Sequence, residues 1–482
     1  MYDCSHGAGS SQSPAVGPRP TPRGRHTIHR LAHNVPVNDL DALLALLTPE
    51  GRALLDEVRD TDPARELAVA TRLRRTHPAE LVSAALGQAR LRQRAVAKFG
   101  ERDAGRMFFT PNGVEQSTRA SVAAYRAERL AALGVTSVAD LCCGIGGDAI
   151  ALARAGIRVL AVDRDPVTAA AARANTEALG LGELIEVREA DVTEVETTGY
   201  DAVFVDPARR GGRGRIFDPE AYSPPLSWAV EAARTAPRAA ALKVAPGIPH
   251  EAVPADAEAE WISDGGDVKE AVLWFGGTPE AVTPGAVAPE AVAPEAVTPE
   301  AVTPEAVTPE AVTPEAVTPE AVTPEAVTPE AVTPGAVRAT LLPGPRTLLG
   351  TGLPDPEVRT PGRYLYEPDG AVIRAHLVAE VAAQVGGGLL DATIAYVTAD
   401  TPLPTPYATA YEITDRMPFN VKKLKALLRE RRVGNLTVKK RGSAVEPEEL
   451  RRKVKPEGPN AATVFMTRVA GAPTMLIGHP VR

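Results

Sequence analysis

The residues best suited to chemistry lie between positions 140 and 207. Asp140, Cys142, Gly144 and Gly146 stand in the stretch VADLCCGIGGDAIALARAGIRVLAVDRD, followed by Asp163, Asp191 and the pair Asp206-Pro207. Glycines directly after an apolar strand let the backbone approach a ligand closely, and the helix that follows offers free N–H groups. Gly144-x-Gly146-x-x-Ala149 fits the loose G-x-G-x-x-G/A fingerprint of nucleotide-binding turns. Asp163 ends the second strand, where a carboxylate accepts from both hydroxyls of a ribose.

Three acids decide between the ligands such a turn can hold. Asp140, four residues before Gly144, would repel a pyrophosphate but pairs readily with an amino-acid ammonium. Asp191, after the third strand, is placed to accept from an adenine amino group. Asp206-Pro207 falls at the carboxyl end of the fourth strand, beside the crevice where ligands of parallel sheets bind. Together these favour S-adenosylmethionine over a dinucleotide.

The elements that must carry these residues follow from the apolar periodicity. Strands are expected near Val138–Leu141, Arg158–Val162, Leu184–Val187, Asp201–Val205, Ala239–Val244 and Ala271–Phe275, with helices near Gly147–Ala155, Pro166–Leu179 and Ser227–Thr235. Strand and helix in alternation predict a parallel α/β sheet. Residues 1–36 form a polar tail, and 37–133 read as helical, with Asn112-Gly113 as a turn. Thr278 to Val337 comprises twelve TPEAV-type units bearing ten glutamates and no Lys or Arg. A proline every fifth residue blocks a continuous helix, so a disordered acidic insert is expected. The flanking runs EAVLWFGG and VRATLLPG are expected to pair as a hairpin with the repeat at its tip. Beyond it, GAVIRAHLVAEVAAQVG reads as one helix, Val421 onward as a basic helix, Gly434-Asn435 as a turn, and AATVFMTRVAGAPTMLIGHP as a closing hairpin.

Composition sets the outer bounds. At 482 residues, the chain exceeds a single ordinary core. Three cysteines, two of them adjacent inside the glycine turn, make neither a disulfide framework nor a zinc motif, and no metal site is expected. The chain has no apolar run of bilayer length and no signal-peptide core, so it is expected to be cytoplasmic. The net charge of −8 hides an asymmetry: Arg416 to Arg482 holds 16 Lys and Arg against five Glu, a net +11, leaving −19 on the remainder. A basic module on an acidic body points to a polyanionic partner held at one end. Its candidate contacts are Lys422, Lys423, Lys425, Arg429, Arg432, Lys439, Lys440 and Arg441. Lys243, in ALKVAPG, reads as a lysine snorkelling from a strand end.

Asp140-x-Cys142-x-Gly144-x-Gly146, Asp163, Asp191 and Asp206-Pro207 resemble, in order, the motifs of class I S-adenosylmethionine-dependent methyltransferases. The glycine-turn phrase is similar to the trimethylguanosine-synthase-type branch of RNA methyltransferases, and the C-terminal module resembles a THUMP-like domain. The resemblance implies a Rossmann-like methyltransferase sheet over 134–350, with the repeat at 278–337, and a small α/β domain over 362–482. It also implies S-adenosylmethionine held by Asp140, Cys142, Gly144, Gly146, Gly147, Asp148, Asp163, Arg164, Asp191 and Val192, with Asp206, Pro207 and Arg209 at the methyl acceptor. THUMP domains proper bind RNA, so the implied reaction is methylation of a base nitrogen in structured RNA, tRNA or rRNA. Such enzymes usually carry a second proline and an aromatic after Asp-Pro; here Ala208 and Arg209 occupy those positions. Stacking on a base would fall to Arg209 itself or to Phe109, Tyr222 or Trp228. A methyltransferase for protein or a small molecule, and a non-catalytic RNA-binding protein keeping a vestigial fold, are the alternatives.

Overall fold

The computed structural model describes residues 39–208, 210–211, 214–215, 218–276 and 331–481. Six helices come first: α1 Asp39–Leu47, α2 Pro49–Glu57, α3 Glu66–Leu73, α4 Ala79–Ala104, α5 Pro111–Gln116 and α6 Ala120–Ala132. Asn112-Gly113 is not a turn but part of α5, because Thr110 caps that helix and accepts from the Gly113 N–H at 2.9 Å. The glycine serves close approach instead: a Cβ there would sit 2.6 Å from Ile145 Cγ2, in the glycine turn.

The central sheet contains β1 Ser137–Leu141, β2 Arg158–Asp163, β3 Ile185–Glu189, β4 Ala202–Val205, β7 Ala239–Val244, β8 Glu258–Asp264, β9 Asp267–Gly276, β10 Val337–Leu342 and β11 Arg346–Leu349. A separate two-residue pair, β5 Arg210–Gly211 and β6 Gly214–Arg215, follows β4. The order across the sheet is β11-β10-β8-β9-β7-β4-β1-β2-β3, and β7, β4, β1, β2 and β3 run parallel. Helices α7 Gly147–Arg154 and α8 Pro166–Leu179 cover one face together with the N-terminal layer. Helix α9 Leu226–Arg234 covers the other.

The expected hairpin around the repeat is not formed. Strand β8 lies between β9 and β10, pairing antiparallel with the first and parallel with the second. Gly265 and Gly266, both at positive φ (63° and 85°), make the tight turn from β8 to β9. The sequence EAEWISD conceals β8 because Glu258 and Glu260 look like solvent-facing acids, yet both are fully buried. Arg129 of α6 donates to Glu258 at 2.5 Å and to Glu260 at 2.9 Å, and Trp274 and Tyr125 donate to Glu260 at 2.8 and 2.6 Å. Arg338 pairs with Glu258 at 2.6 Å. Residues 278–330 of the repeat lie outside the described residues.

The C-terminal sheet contains β12 Tyr364–Pro368, β13 Gly388–Asp391, β14 Ile394–Ala399, β15 Ala408–Pro418, β16 Val433–Lys440, β17 Asn460–Val469 and β18 Ala472–Pro480, in the order β13-β14-β12-β15-β18-β17-β16. The single helix expected after β12 is two, α10 Gly370–Arg374 and α11 Val378–Gln384, broken where His376 turns left-handed at φ 58°. Ala371, Val372, Leu377 and Val381 of this pair enter the same core as Trp261 and Leu273, which docks the domain onto the central sheet. Helices α12 Val421–Glu430 and α13 Pro447–Val454 pack on β16 through Leu424, Leu428, Leu450 and Val454. Gly434-Asn435 is a register shift inside β16, not a turn, and a Cβ on Gly434 would meet Gly458 O at 1.9 Å. Among the described residues, no helix is long and apolar enough to cross a membrane.

Removing Arg129 takes from buried Glu260 the cation paired with it and leaves Glu258 with Arg338, and breaking a buried ion pair from one side costs about 3–5 kcal/mol. Arg129→Ala is therefore expected to lower unfolding stability by about that amount in urea titration, far more than Arg90→Ala on the exposed Glu66 pair.

Candidate active site

The glycine turn is built as a strained loop after β1. Cys142 (φ 65°), Gly144 (φ 58°) and Gly146 (φ 86°) all take left-handed backbone, so the cysteine occupies a conformation glycine adopts freely. A Cβ built on Gly144 meets nothing within 4 Å, which leaves backbone open to the cleft in front of it. That cleft encloses about 1180 Å³ and is walled by Cys142, Gly144, Gly147, Asp148, Asp163, Arg164, Asp191, Val192, Asp206 and Pro207. Burial pushes both the Cys142 and Cys143 thiols upward, so neither is a reactive thiolate.

The expected acids are distributed unequally. Asp163 lies at the rim and accepts from the Gly144 N–H at 3.0 Å and the Asp165 N–H at 2.9 Å, which ties the second strand to the glycine turn. Asp191 caps the short turn Val192–Glu194 and accepts from Thr193 N–H (3.0 Å) and Oγ1 (2.7 Å); those bonds hold its carboxyl below the usual range. Asp140 is off the wall, fully buried behind the turn, and neither carboxylate oxygen has a hydrogen-bond partner among the described residues. Burial, reinforced by the carboxylates of Asp148 and Asp206, raises its pKa well above the ordinary value. Gly146 also lies behind the wall, under α8.

Asp148 lines the cleft with its carboxylate already engaged. Arg126 Nη1 and, at 2.8 Å, Thr118 Oγ1 donate to it. From it a chain of polar contacts runs to the acceptor side of the cleft. Lys243 Nζ donates to Thr118 Oγ1 at 2.8 Å and to Asp206 Oδ2 at 2.6 Å. Arg126 also pairs with Glu270 of β9, whose own pKa burial raises. Lys243 is thus no snorkelling lysine: it is 3% exposed and points into the cleft wall. The sequence signal was present in the β7 alternation, since Ala239, Ala241 and Lys243 share the face turned toward the N-terminal helices.

Matches to known proteins accord with this geometry. Residues 138–208 match the methyltransferase domain family, 408–480 a THUMP domain-like family, and 39–95 a domain of unknown function. Two Mycobacterium tuberculosis proteins, from strains CDC 1551 and H37Rv, both named as uncharacterized S-adenosylmethionine-dependent methyltransferases, are 31% identical over 387 residues, which is 79% of this chain and 90% of theirs. The chain belongs to the S-adenosylmethionine-dependent methyltransferases. The same overall fold recurs in a crystal structure from Porphyromonas gingivalis W83 assigned as a methyltransferase, at a TM-score of 0.65 and 21% identity, covering 92% of this chain and 98% of that one.

The cofactor of this methyltransferase is S-adenosylmethionine, and the residues present fit it. The open backbone at Gly144 would admit the amino-acid end of the cofactor closely, and the unpartnered Asp140 carboxyl behind the turn would favour a cation there. Carboxylates outnumber cations on the cleft wall, which suits a sulfonium better than a pyrophosphate. Of the aromatic residues expected to stack on an acceptor, only Phe109 lines the cleft; Tyr222 is buried, and Trp228 lines a separate shallow depression. Arg209 and the side chains of the loop that follows lie outside the described residues.

The basic module divides in two. Lys439 pairs with Glu367, Lys440 with Glu446 at 2.5 Å, and Arg441 lies 3.9 Å from Glu367. These three, expected to hold a polyanion, are largely spent within the fold. No ion pair among the described residues involves Lys422, Lys423, Lys425, Arg429 or Arg432, and all but the half-buried Lys425 are exposed.

Because the native Asp140 carboxyl titrates far above its unfolded counterpart, it destabilises the ligand-free fold progressively as pH rises above the unfolded value near 4. Asp140→Asn is expected to raise the melting temperature at pH 8 and to leave it unchanged at pH 3.5, where the carboxyl is protonated in both states. The same variant should bind S-adenosylmethionine at least tenfold more weakly by calorimetry.

Proposed function

We propose that this methyltransferase transfers a methyl group to a base nitrogen in structured RNA, tRNA or rRNA, in the cytoplasm. The bound cofactor supplies an electrophilic methyl group on a positively charged sulfur. The chain supplies alignment: Asp206 Oδ1 and the Pro207 carbonyl accept the N–H of an incoming amine and turn its lone pair toward the methyl group. Lys243 already occupies Asp206 Oδ2, so one carboxylate oxygen is committed to the fold and one remains for the acceptor.

The unpaired cations of α12 carry the RNA assignment. Carboxylates outnumber cations on the cleft wall and disfavour phosphates there, so a polyanionic substrate would enter with a single extruded base while its backbone is held elsewhere. Lys422, Lys423 and Arg429 on α12 and Arg432 just beyond it offer that hold, inside the segment matching the THUMP domain-like family. The strand cations, neutralised by Glu367 and Glu446, contribute less.

The reading is tested by transfer of radiolabelled methyl into a lysate from a strain lacking the gene, followed by RNase and protease digestion. RNase-sensitive label, reduced at least 100-fold by Asp206→Ala, is expected; protease-sensitive label would move the acceptor to protein. In filter binding, the triple variant Lys422→Glu/Lys423→Glu/Arg429→Glu is expected to weaken RNA binding at least tenfold. It should also flatten the slope of log K against log salt by roughly 2. Lys440→Gln is expected to change affinity less than twofold.

A further inference from the structure

The central sheet carries an unusual row of charge. Val138, Phe204, Ala241 and Trp274 pack in the core shared with the N-terminal helices. Strand alternation therefore turns Asp140, Asp206, Lys243 and Glu270 toward the same layer. Register places these strands side by side: Val205 lies opposite Leu242, and Lys243 opposite Val272. Four carboxylates in this region, Asp140, Asp148, Asp206 and Glu270, face two cations, Arg126 and Lys243.

Arg126 sits at the centre of the row, pinned between Asp148 and Glu270 and stacked 4.5 Å over Phe204. It is also within electrostatic reach of Asp206. An unrestrained Asp206 carboxylate would therefore be drawn inward, toward the buried guanidinium and away from the cleft. Lys243 Nζ, on the adjacent strand, donates to Asp206 Oδ2 at 2.6 Å and competes with that pull, and it also donates to Thr118 Oγ1, which in turn donates to Asp148.

We propose that Lys243 is the positioning residue that aims Asp206 into the cleft, and that the N-terminal helical layer, through Thr118, fixes Lys243 in turn. The inference rests on Asp206 facing the methyl acceptor, whichever molecule bears the accepting nitrogen. It assigns the N-terminal layer a part in methyl transfer beyond covering the sheet: Thr118 lies in the short segment between α5 and α6, and Gly113 of the adjoining α5 packs closely on Ile145 of the glycine turn.

The test uses the full-length enzyme with radiolabelled S-adenosylmethionine and the acceptor fraction that the wild-type enzyme labels. Lys243→Met is expected to lower kcat about 100-fold, the scale of a 1 Å misplacement, with the S-adenosylmethionine dissociation constant unchanged within twofold. Lys243→Arg should recover kcat to within about tenfold of wild type. Thr118→Val should cost about tenfold alone and less than twofold in the Lys243→Met background, because both act on one carboxylate. In the crystal structure of Lys243→Met, Asp206 is expected to rotate toward Arg126. A wild-type Asp206 rotamer in that variant overturns the proposal. So does wild-type kcat in Lys243→Met, or in Thr118→Val should Lys243→Met fail to fold. A rise in the dissociation constant that matches the fall in kcat overturns it as well. Label appearing in protein would sink the RNA assignment while leaving the kcat comparison and the Asp206 position intact.

Discussion

Everything at the reaction centre depends on Arg126 being ionised inside the protein. The side chain is 1% exposed, and it comes from α6, outside the methyltransferase sheet that it neutralises. Asp148 opens α7, Glu270 lies on β9, and Phe204 ends next to Asp206 on β4; one guanidinium ties all three together. Without it, the helix that follows the glycine turn and the antiparallel edge of the sheet would present uncompensated charges to each other. Arg129 repeats the device one turn later along α6, closing on Glu258 and Glu260 of β8. Two arginines three residues apart thus bolt the N-terminal layer to both halves of the sheet.

This arrangement separates two electrostatic tasks. The cleft gathers an excess of carboxylates where the sulfonium of the cofactor would lie, and the C-terminal module gathers unpaired cations on α12, where the proposed RNA backbone would rest. Cations also reach the cleft wall, at Arg164 and Lys243 among others, but carboxylates outnumber them there. Had the acids lined α12, they would have repelled a polyanion. The chain's overall charge of −8 averages over both regions and describes neither.

The sequence made the parallel half of the sheet legible because its strands are apolar runs between helices of ordinary period. Strands β1, β2, β4 and β7 and helices α7 and α8 fall within a residue or two of their expected ends. Where reasoning failed, a charge or a glycine was serving tertiary contacts. Glu258 and Glu260 hid β8, since the arginine that makes their burial possible lies more than a hundred residues away. Gly113 and Gly434 looked like turns because close packing against Ile145 and Gly458 leaves no local mark. The site divides along the same line. Cys142, Gly144, Asp163, Asp191 and Asp206, close in motif order, converge on the cleft. Lys243, Thr118 and Arg126, which hold Asp206 and Asp148, belong to no spacing pattern and emerge only from the fold.

A row of buried ion pairs is a poor device for stability alone. Desolvating each charge costs several kcal/mol, and well-packed apolar residues of equal volume often serve as well or better. Four carboxylates facing two cations make the case sharper, because such a row is electrostatically incomplete by itself. Asp140 shows the deficit directly: it is fully buried with two unpartnered oxygens. Burial shifts both Asp140 and Glu270 toward their neutral forms, which lessens the imbalance in the free protein. A cationic ligand beside the row would favour the ionised forms again.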